Sequence, residues 1–164
     1  MWYQLAPNTL VKIFSYLGLR DLIKLEQVHR NFKGIIRNYP WSHFIVRLTN
    51  IKDIEFVVTR YKFRNYSFSK TNITDELVRC ISDGYAVDLL KSKDNTSEAG
   101  YLSLDLSGCD RITDASVIHL KDCYYLNLAG CSKITDASVK FLGNCHTLNL
   151  ARCNKITDVS VKYL

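Results

Sequence analysis

The chain has 164 residues, of which 47% are hydrophobic, 12% aromatic and 23% charged, with only 2 Pro and 7 Gly. This composition excludes a disordered or fibrous chain and is typical of one packed domain, or of a small module joined to a short array. The longest apolar stretches resemble Phe44–Val46 in length, far below the roughly 18 residues of a membrane-spanning helix. The N-terminus lacks the pattern of a signal peptide, so we expect an intracellular protein of the cytoplasm or nucleus, with reduced cysteines.

The net charge of +6 is unevenly distributed along the chain. Residues 1–70 carry 12 Lys or Arg against 4 Asp or Glu, which is a net charge of +8. Residues 71–164 carry 10 against 12, which is a net charge of −2. The change indicates two modules. A basic module can bind nucleic acid, an anionic membrane or an acidic protein, and its charge alone does not choose among them.

Three short helical patterns occupy residues 5–48. The first lies between a cap at Asn8–Thr9 and a terminator at Gly18, Asp21 caps the second, and Pro40 opens the third. Their apolar sides are Leu10, Ile13, Phe14 and Leu17; then Leu22, Leu25, Val28, Phe32 and Ile36; then Trp41, Phe44, Ile45 and Leu48. Helices this short form a poor independent core, so we expect exposed apolar surface or an external partner.

A known family pattern runs through these helices. Its positions are Leu5, Pro7, Leu10, Ile13, Phe14, Ser15, Tyr16, Leu17, Asp21, Leu22, Leu25, Val28, His29, Arg30, Phe32, Pro40 and Trp41. With these residues the segment 1–48 resembles an F-box, although Ala6 and Asn8 depart from the usual Leu and Glu around the proline. The resemblance implies docking on a Skp-type adaptor. The residues it assigns either to that contact or to the module's own packing are Leu5, Pro7, Leu10, Ile13, Phe14, Leu17, Leu22 and Val28.

Weaker signals follow the helical module. We interpret residues 49–64 as a helical linker and residues 65–164 as a repeat array. A strand is predicted at Tyr66–Phe68 and a helix start at Thr74–Asp75, while Val87–Leu89 predicts a further strand and Lys91–Gly100 a polar loop. Strand positions at 66, 87, 104, 126 and 148 then give five units.

A repeat with a period of 22 residues is plain from residue 101 onward. Leu-x-Leu pairs begin at Leu104, Leu126 and Leu148, and equivalent Cys, Ile, Thr, Asp and Val residues follow each pair at the same spacing. The alternation predicts a strand with one buried face, and the later apolar residues predict a short helix. The helix starts are the N-caps Thr113, Thr135 and Thr157, each followed by Asp114, Asp136 or Asp158. Because one unit cannot bury its apolar side alone, the units must stack with parallel strands.

Two runs, Cys123–Cys131 and Cys145–Cys153, place a Leu-x-Leu pair between two cysteines. With them, residues 101–164 resemble the leucine-rich repeat in its cysteine-containing subtype. The two resemblances together imply an α/β fold in which a three-helix F-box precedes a short open solenoid, with parallel strands on its concave face and helices on its convex face. They also imply a target-binding concave face, formed by Ser103, Asp105, Tyr125, Asn127, Thr147 and Asn149.

The sequence gives little support for a metal site or a catalytic site. The cysteines form no Cys-x-x-Cys pair, and the period assigns Cys109, Cys131 and Cys153 to the core as small apolar residues. The repeated aspartates fit helix starts better than a row of metal ligands. Since the sequence shows no phosphate loop, paired-carboxylate site or nucleophile elbow, we predict no enzyme, no cofactor and no metal.

An F-box followed by cysteine-containing leucine-rich repeats resembles the substrate-recognition adaptors of cullin-type ubiquitin ligases. The resemblance implies a Skp-type adaptor, a cullin bound through it, an unknown protein target and no membrane. Two alternatives stay open: a protein that occupies the adaptor without ubiquitinating a target, and a basic nucleic-acid-binding protein. The short length and the residue usage of an AT-rich genome also resemble such proteins of giant viruses, in which case the protein would act in the host cell.

No distinct polar cap follows the last helical pattern, which reaches Leu164. Stacked repeats need a polar covering at each end of the array. We therefore expect one of three arrangements: the final helix is sufficient, the chain is a short or truncated relative, or another protein covers the edge.

Overall fold

The computed structural model describes residues 5–39, 41–91 and 102–164. Three helices come first, and strands and helices then alternate to the end of the chain. In chain order the elements are α1 (Pro7–Phe14), α2 (Leu19–Leu25), α3 (Arg30–Asn38), β1 (Trp41–Arg47), α4 (Ile51–Arg60), β2 (Phe63–Ser67), α5 (Asp75–Lys91), β3 (Ser103–Asp105), α6 (Asp114–Val117), β4 (Tyr125–Asn127), α7 (Asp136–Val139), β5 (Thr147–Asn149) and α8 (Asp158–Val161). None of the helices in these described ranges is both long and apolar enough to cross a membrane.

All five strands belong to one parallel sheet, in the order β1 to β5. Equivalent residues of the repeat stand opposite each other, so that Leu104 is aligned with Leu126 and Leu126 with Leu148. Each helix from α4 to α7 contacts the next one along the chain. This is a layer of parallel strands backed by a layer of helices, and it confirms the predicted α/β class with three helices before an open solenoid.

Buried cysteines connect neighbouring coils. The Cys131 thiol donates a hydrogen bond to the Leu106 carbonyl, 3.2 Å away, and the Cys153 thiol donates to the Leu128 carbonyl at 3.1 Å. Cys109 makes the same contact with the Phe68 carbonyl at 3.0 Å. Burial raises the pKa of Cys131 to about 12, so its thiol stays protonated at neutral pH. The cysteines therefore pack in the core, as the 22-residue period predicts.

The repeated aspartates have a second contact that the sequence does not reveal. As predicted, each of the three threonines caps its own helix by accepting a hydrogen bond from the amide two residues later. The carboxylate of Asp114 also reaches the next coil, where it accepts hydrogen bonds from the Thr135 amide at 2.9 Å, the Thr135 hydroxyl at 2.6 Å and the Ser138 hydroxyl at 2.6 Å. Asp136 accepts the same three bonds from Thr157 and Ser160. Aspartate thus holds successive coils together.

A left-handed backbone position recurs at the turn after the strand. It is occupied by Lys70 (φ 56°), Gly108 (φ 66°), Gly130 (φ 75°) and Arg152 (φ 62°). In this conformation the Gly108 amide donates to the Ala129 carbonyl of the next coil at 2.7 Å, and the Gly130 amide donates to the Ala151 carbonyl at 2.8 Å. Glycine adopts this conformation without the steric cost that Lys70 and Arg152 incur.

The helix predicted from Pro40 is wrong, because Trp41–Arg47 forms strand β1. Its apolar spacing suits a helix, but Phe44, Ile45 and Val46 also have high strand propensity. Pairing with β2 decides the outcome, with Val46 aligned with Tyr66 and Arg47 with Ser67. Secondary structure was therefore set here by a contact distant in sequence.

Two other predicted elements differ from those in the structure. The strand predicted at Val87–Leu89 is wrong, because the backbone there belongs to the 17-residue helix α5. The second helical pattern is divided into α2 and α3, and the ring of His29 caps α3 by accepting a hydrogen bond from the Asn31 amide. By contrast, the predicted strand around Tyr66 and the helix start at Asp75 are confirmed. Apart from Lys91, which ends α5, the predicted loop lies outside the described residues, and the module boundaries at residues 48 and 64 stay predictions.

Candidate interaction surfaces

The first helices use part of their apolar side chains for their own core. Leu10, Phe14 and Leu22 are buried together with Phe32 and Ile36. The rings of Phe14 and Phe32 meet edge to face, with centroids 5.3 Å apart, a favourable arrangement for two aromatic rings. Three of the eight residues predicted to serve docking or packing therefore serve packing.

The other five residues of that prediction reach the surface to different degrees. Leu5, Pro7 and Val28 are exposed, and Val28 leaves 68% of its area accessible, whereas Ile13 and Leu17 are half-buried against the core. Tyr16, at 89% accessible, is a further exposed apolar side chain. The sequence could have indicated Tyr16 as a candidate surface residue, because it lies between apolar residues of the family pattern. The small module thus presents several large apolar side chains to solvent, as expected from its size.

Polar contacts join these helices to one another and to strand β1. Arg37 of α3 donates two hydrogen bonds to Glu26 at the end of α2, at 2.8 and 3.0 Å. These bonds hold the pKa of Glu26 below its ordinary value, against the opposing effect of burial. Burial and the negative charge of Glu26 raise the pKa of Tyr61, just after α4, to about 12. Trp41 is buried and donates its indole N–H to the Ile36 carbonyl at 2.9 Å.

The solvent-facing side of the sheet carries two rows of side chains. The register aligns residues of successive strands, with one inward-facing residue between the rows on each strand, which is buried on β1 to β4 and half-buried on β5. The row that we call the first row consists of Ile45, Asn65, Ser103, Tyr125 and Thr147. The second row consists of Arg47, Ser67, Asp105, Asn127 and Asn149. All six residues predicted for the target-binding face lie in these rows.

The second row is partly engaged with its own backbone. Asp105 accepts a hydrogen bond from the Ser107 amide at 3.1 Å, and Asn127 and Asn149 accept equivalent bonds from the amides two residues later. Such contacts fix the turn that follows each strand. Asp105 also accepts a hydrogen bond from the Ser67 hydroxyl at 3.2 Å. These polar side chains therefore stabilise the coil in addition to facing solvent.

An open groove lies on the sheet face near β1. It has a volume of about 380 Å³ and is lined by Ile45, Arg47, Asn65, Tyr66, Ser67, Ser103, Asp105 and Tyr125. Ile45 leaves 57% of its area accessible and gives the groove an apolar wall. The sequence missed Ile45, Arg47, Asn65 and Ser67 as face residues, because their strands lack the Leu-x-Leu pair.

Neither surface has the features of a metal site. Across residues 5–39, 41–91 and 102–164, no three His, Cys, Asp or Glu side chains are grouped as a metal ion would require. The polar groups described above instead bind backbone amides and hydroxyls of adjacent turns and coils. What the two surfaces offer is area for contact with other macromolecules.

Comparison with protein families finds two matches to segments of the chain. The F-box-like family matches residues 2–47, and the family described as Leucine Rich repeat matches residues 102–120. No curated protein is a match for this chain. The matched segments cover the exposed apolar helices and the first of the regular coils, and both families are non-catalytic interaction domains.

Proposed function

We propose that this chain, an F-box-like region joined to leucine-rich repeats, is the substrate-recognition adaptor of a cullin-type ubiquitin ligase. The F-box-like helices bind a Skp-type adaptor, which links them to a cullin, and the strand face binds a target protein. The observation that carries the proposal is the F-box-like match over helices that leave Leu5, Tyr16 and Val28 exposed beyond their own core. In this proposal the protein itself binds the target and presents it, and other subunits supply ubiquitin.

Charge supports an acidic partner for the helices. The net charge of residues 1–70 is +8, from 12 basic and 4 acidic residues. Complementary charge accelerates encounter, while buried apolar side chains supply most of the lasting affinity. Leu5, Pro7, Val28 and the half-buried Ile13 and Leu17 are the docking residues in this proposal, with Tyr16 added to them.

The strand face supports a peptide or loop of a target protein. The first row combines the apolar Ile45, the aromatic Tyr125 and small polar residues along one line of the sheet. Amphipathic aromatic residues are enriched at the energetic centres of protein interfaces. Ser103, Tyr125 and Thr147 are thus the predicted target contacts least occupied by the coil itself, because Asp105, Asn127 and Asn149 also stabilise turns.

Val28→Asp tests the docking proposal. Because Val28 is exposed, the substitution should leave the fold intact and place a charge in the apolar contact, weakening binding of a purified Skp-type adaptor by about tenfold or more. Isothermal titration calorimetry measures the affinity. Ile118→Asp is the matched control, since Ile118 is 40% exposed on the convex side of the repeats, outside the docking helices. Equal binding by the wild type and Val28→Asp, with unchanged thermal unfolding, would contradict the docking assignment.

A second candidate function is occupation of the adaptor without presentation of a target. It is favoured by the engagement of the second row in its own turns, which leaves a small free face. Affinity capture from cells with and without proteasome inhibition separates the two. A protein that is enriched only under inhibition, and lost with Tyr125→Ala, supports target presentation, and adaptor capture without any such protein supports occupation alone.

A further inference from the structure

The groove on the sheet face follows from the sizes of the side chains in the first row. Ile45 on β1 and Tyr125 on β4 are large, whereas the two residues between them in the row, Asn65 and Ser103, are short. Three strand spacings separate the backbones of Ile45 and Tyr125, so they lie about 14 Å apart. A volume of about 380 Å³ between these two walls is at the lower end of the range for ligand pockets. The groove therefore fits one or two side chains of a partner.

Both walls of the groove are accessible to a partner. Ile45 leaves 57% of its area accessible and Tyr125 leaves 37%. The Tyr125 side chain makes neither a hydrogen bond nor a ring contact with any residue that the structure describes. An apolar side chain placed between the two walls would remove apolar area of both from water, which is favourable. The groove therefore selects a large apolar side chain at this position.

A cation lies beside the apolar wall formed by Ile45. Arg47 is exposed, is the only basic residue in the two rows, and forms no ion pair or hydrogen bond with a described residue. Ile45 and Arg47 lie two residues apart on β1 and therefore face the same side, at a spacing of about 6.6 Å. The planar guanidinium group of arginine matches a carboxylate, which it binds through two parallel hydrogen bonds. The groove therefore places a carboxylate-binding group next to an apolar one.

An acidic residue of the groove limits the charge of the partner. Asp105 lies two strands from Arg47 in the second row, and its two oxygens accept hydrogen bonds from the Ser67 hydroxyl and the Ser107 amide. These neutral donors leave its negative charge in place. Phosphorylated segments are recognised by clusters of arginines, whereas this groove has one arginine and one aspartate. The charge of the groove therefore fits a carboxylate, with its single negative charge, better than a phosphate.

We propose that the groove selects an extended segment of a target protein that carries an acidic side chain two residues from a large apolar side chain. The acidic side chain binds Arg47, and the apolar side chain lies between Ile45 and Tyr125. Alternate residues of an extended chain face the same side at the spacing of Ile45 and Arg47, so a segment that runs along β1 reaches both. This specificity rests on the proposed target contact at the strand face and adds the class of target to it.

Selection of displayed random linear peptides on the immobilised full chain tests the proposal. Peptides in which Asp or Glu stands two positions from a large apolar residue should be enriched over their share of the starting library. An enriched peptide, synthesised with blocked termini, should bind about tenfold more weakly to Arg47→Met, and replacement of its acid by the corresponding amide should have a similar effect. Selection on Arg47→Glu should instead enrich Lys or Arg at the position of the acid.

Arg111→Met is the matched control, because Arg111 is exposed in the turn before α6, outside both rows, and it should bind the peptide as the wild type does. Peptides that lose binding in Tyr125→Ala but keep it in Arg47→Met would overturn the acidic specificity and leave the strand face as the target site. Tighter binding of a phosphoserine peptide than of its glutamate counterpart would overturn the choice of a carboxylate. Peptides bound equally by both variants, or no enrichment at all, would overturn the proposal together with the strand face as target site.

Discussion

Asp114 stabilises two coils with one side chain. It lies in the first turn of α6, where a negative charge is favourable, and it accepts three hydrogen bonds from the coil of α7. One of its donors, Ser138, is completely buried. Without the carboxylate this hydroxyl would keep its weaker bond to the Thr135 carbonyl at 3.3 Å, while the Thr135 amide would lose its acceptor.

Asp114→Ala should therefore lower the free energy of unfolding by about 2–3 kcal/mol, the cost of leaving partly buried donors without acceptors. Asp158→Ala is the matched comparison, because Asp158 has the same position in its helix and no following coil among the described residues. Asp158→Ala should lower the free energy of unfolding by about 0.5 kcal/mol. Urea unfolding followed by circular dichroism measures both. Equal losses in the two variants would show that the contact between coils contributes little.

The same carboxylate should make stability depend on pH. Burial raises the pKa of Asp114, but the hydrogen bonds from Ser138 and Thr135 outweigh burial and hold the pKa below its ordinary value. A carboxyl group whose pKa is lowered on folding stabilises the protein above its unfolded pKa of about 4, and this contribution disappears as pH falls through the folded value.

Asp114→Asn cannot titrate at this position, so the difference in stability between the wild type and Asp114→Asn should be largest at pH 7 and should narrow below about pH 4. Urea unfolding midpoints of both proteins between pH 7 and pH 3 give this difference. A difference that stays constant over the whole range would mean that the charge of Asp114 does not stabilise the folded state.

At the scale of elements, the ion pair of Glu26 and Arg37 connects the end of α2 to α3. The side chain of Glu26 is 9% exposed and that of Arg37 is 31% exposed, so solvent only partly screens the pair. Arg79 and Asp83 of α5 form a second pair at 3.6 Å, with both side chains more than 60% exposed. Such an exposed pair is largely screened and contributes little.

Arg37→Met should lower the free energy of unfolding by about 1–2 kcal/mol, since it leaves the nearly buried Glu26 carboxylate without its two donors. Arg79→Met is the control and should change stability by less than about 0.5 kcal/mol. Chemical denaturation at low and moderate salt measures both changes. If Arg37→Met were as mild as Arg79→Met, the pair would not be what fixes α2 to α3.

Sequence reasoning succeeded where an element is decided by its own residues. In the regular coils, the Leu-x-Leu pair and the Thr cap are local signals repeated three times, and the strands at Leu104, Leu126 and Leu148 follow them. It failed at Trp41–Arg47, where both periodicities fit and pairing with β2 decides. It failed again at Val87–Leu89, a short apolar stretch that is compatible with either a strand or the end of a long helix.

For the candidate surfaces too, local residues reveal some positions and contacts distant in sequence decide the others. Ser103, Tyr125 and Thr147 were placed on the sheet face by the resemblance to the leucine-rich repeat, whereas Ile45 and Asn65 joined them through register with β1 and β2, which lack the Leu-x-Leu pair. The sequence also left open which apolar residues of the first helices pack inside. Burial of Leu10, Phe14 and Leu22 and exposure of Val28 depend on how three helices meet, which no single helical pattern contains.

At the scale of the whole molecule, the helical module and the repeats share one framework. Strand β1, which directly follows the helices, is the first strand of the sheet that runs to β5. Trp41 is buried at this junction and bonds to Ile36 of α3. In the proposed function, a partner docked on the helices would therefore be held in a fixed relation to a target on the strand face.

The central claim is that these two surfaces bind different partners independently. Hydrogen–deuterium exchange of the chain, with and without a saturating amount of purified Skp-type adaptor, tests it most directly. Exchange should slow in α1 and α2 and around Val28 and stay unchanged across β3, β4 and β5. Unchanged exchange in the first helices, or protection concentrated on the strands, would contradict it.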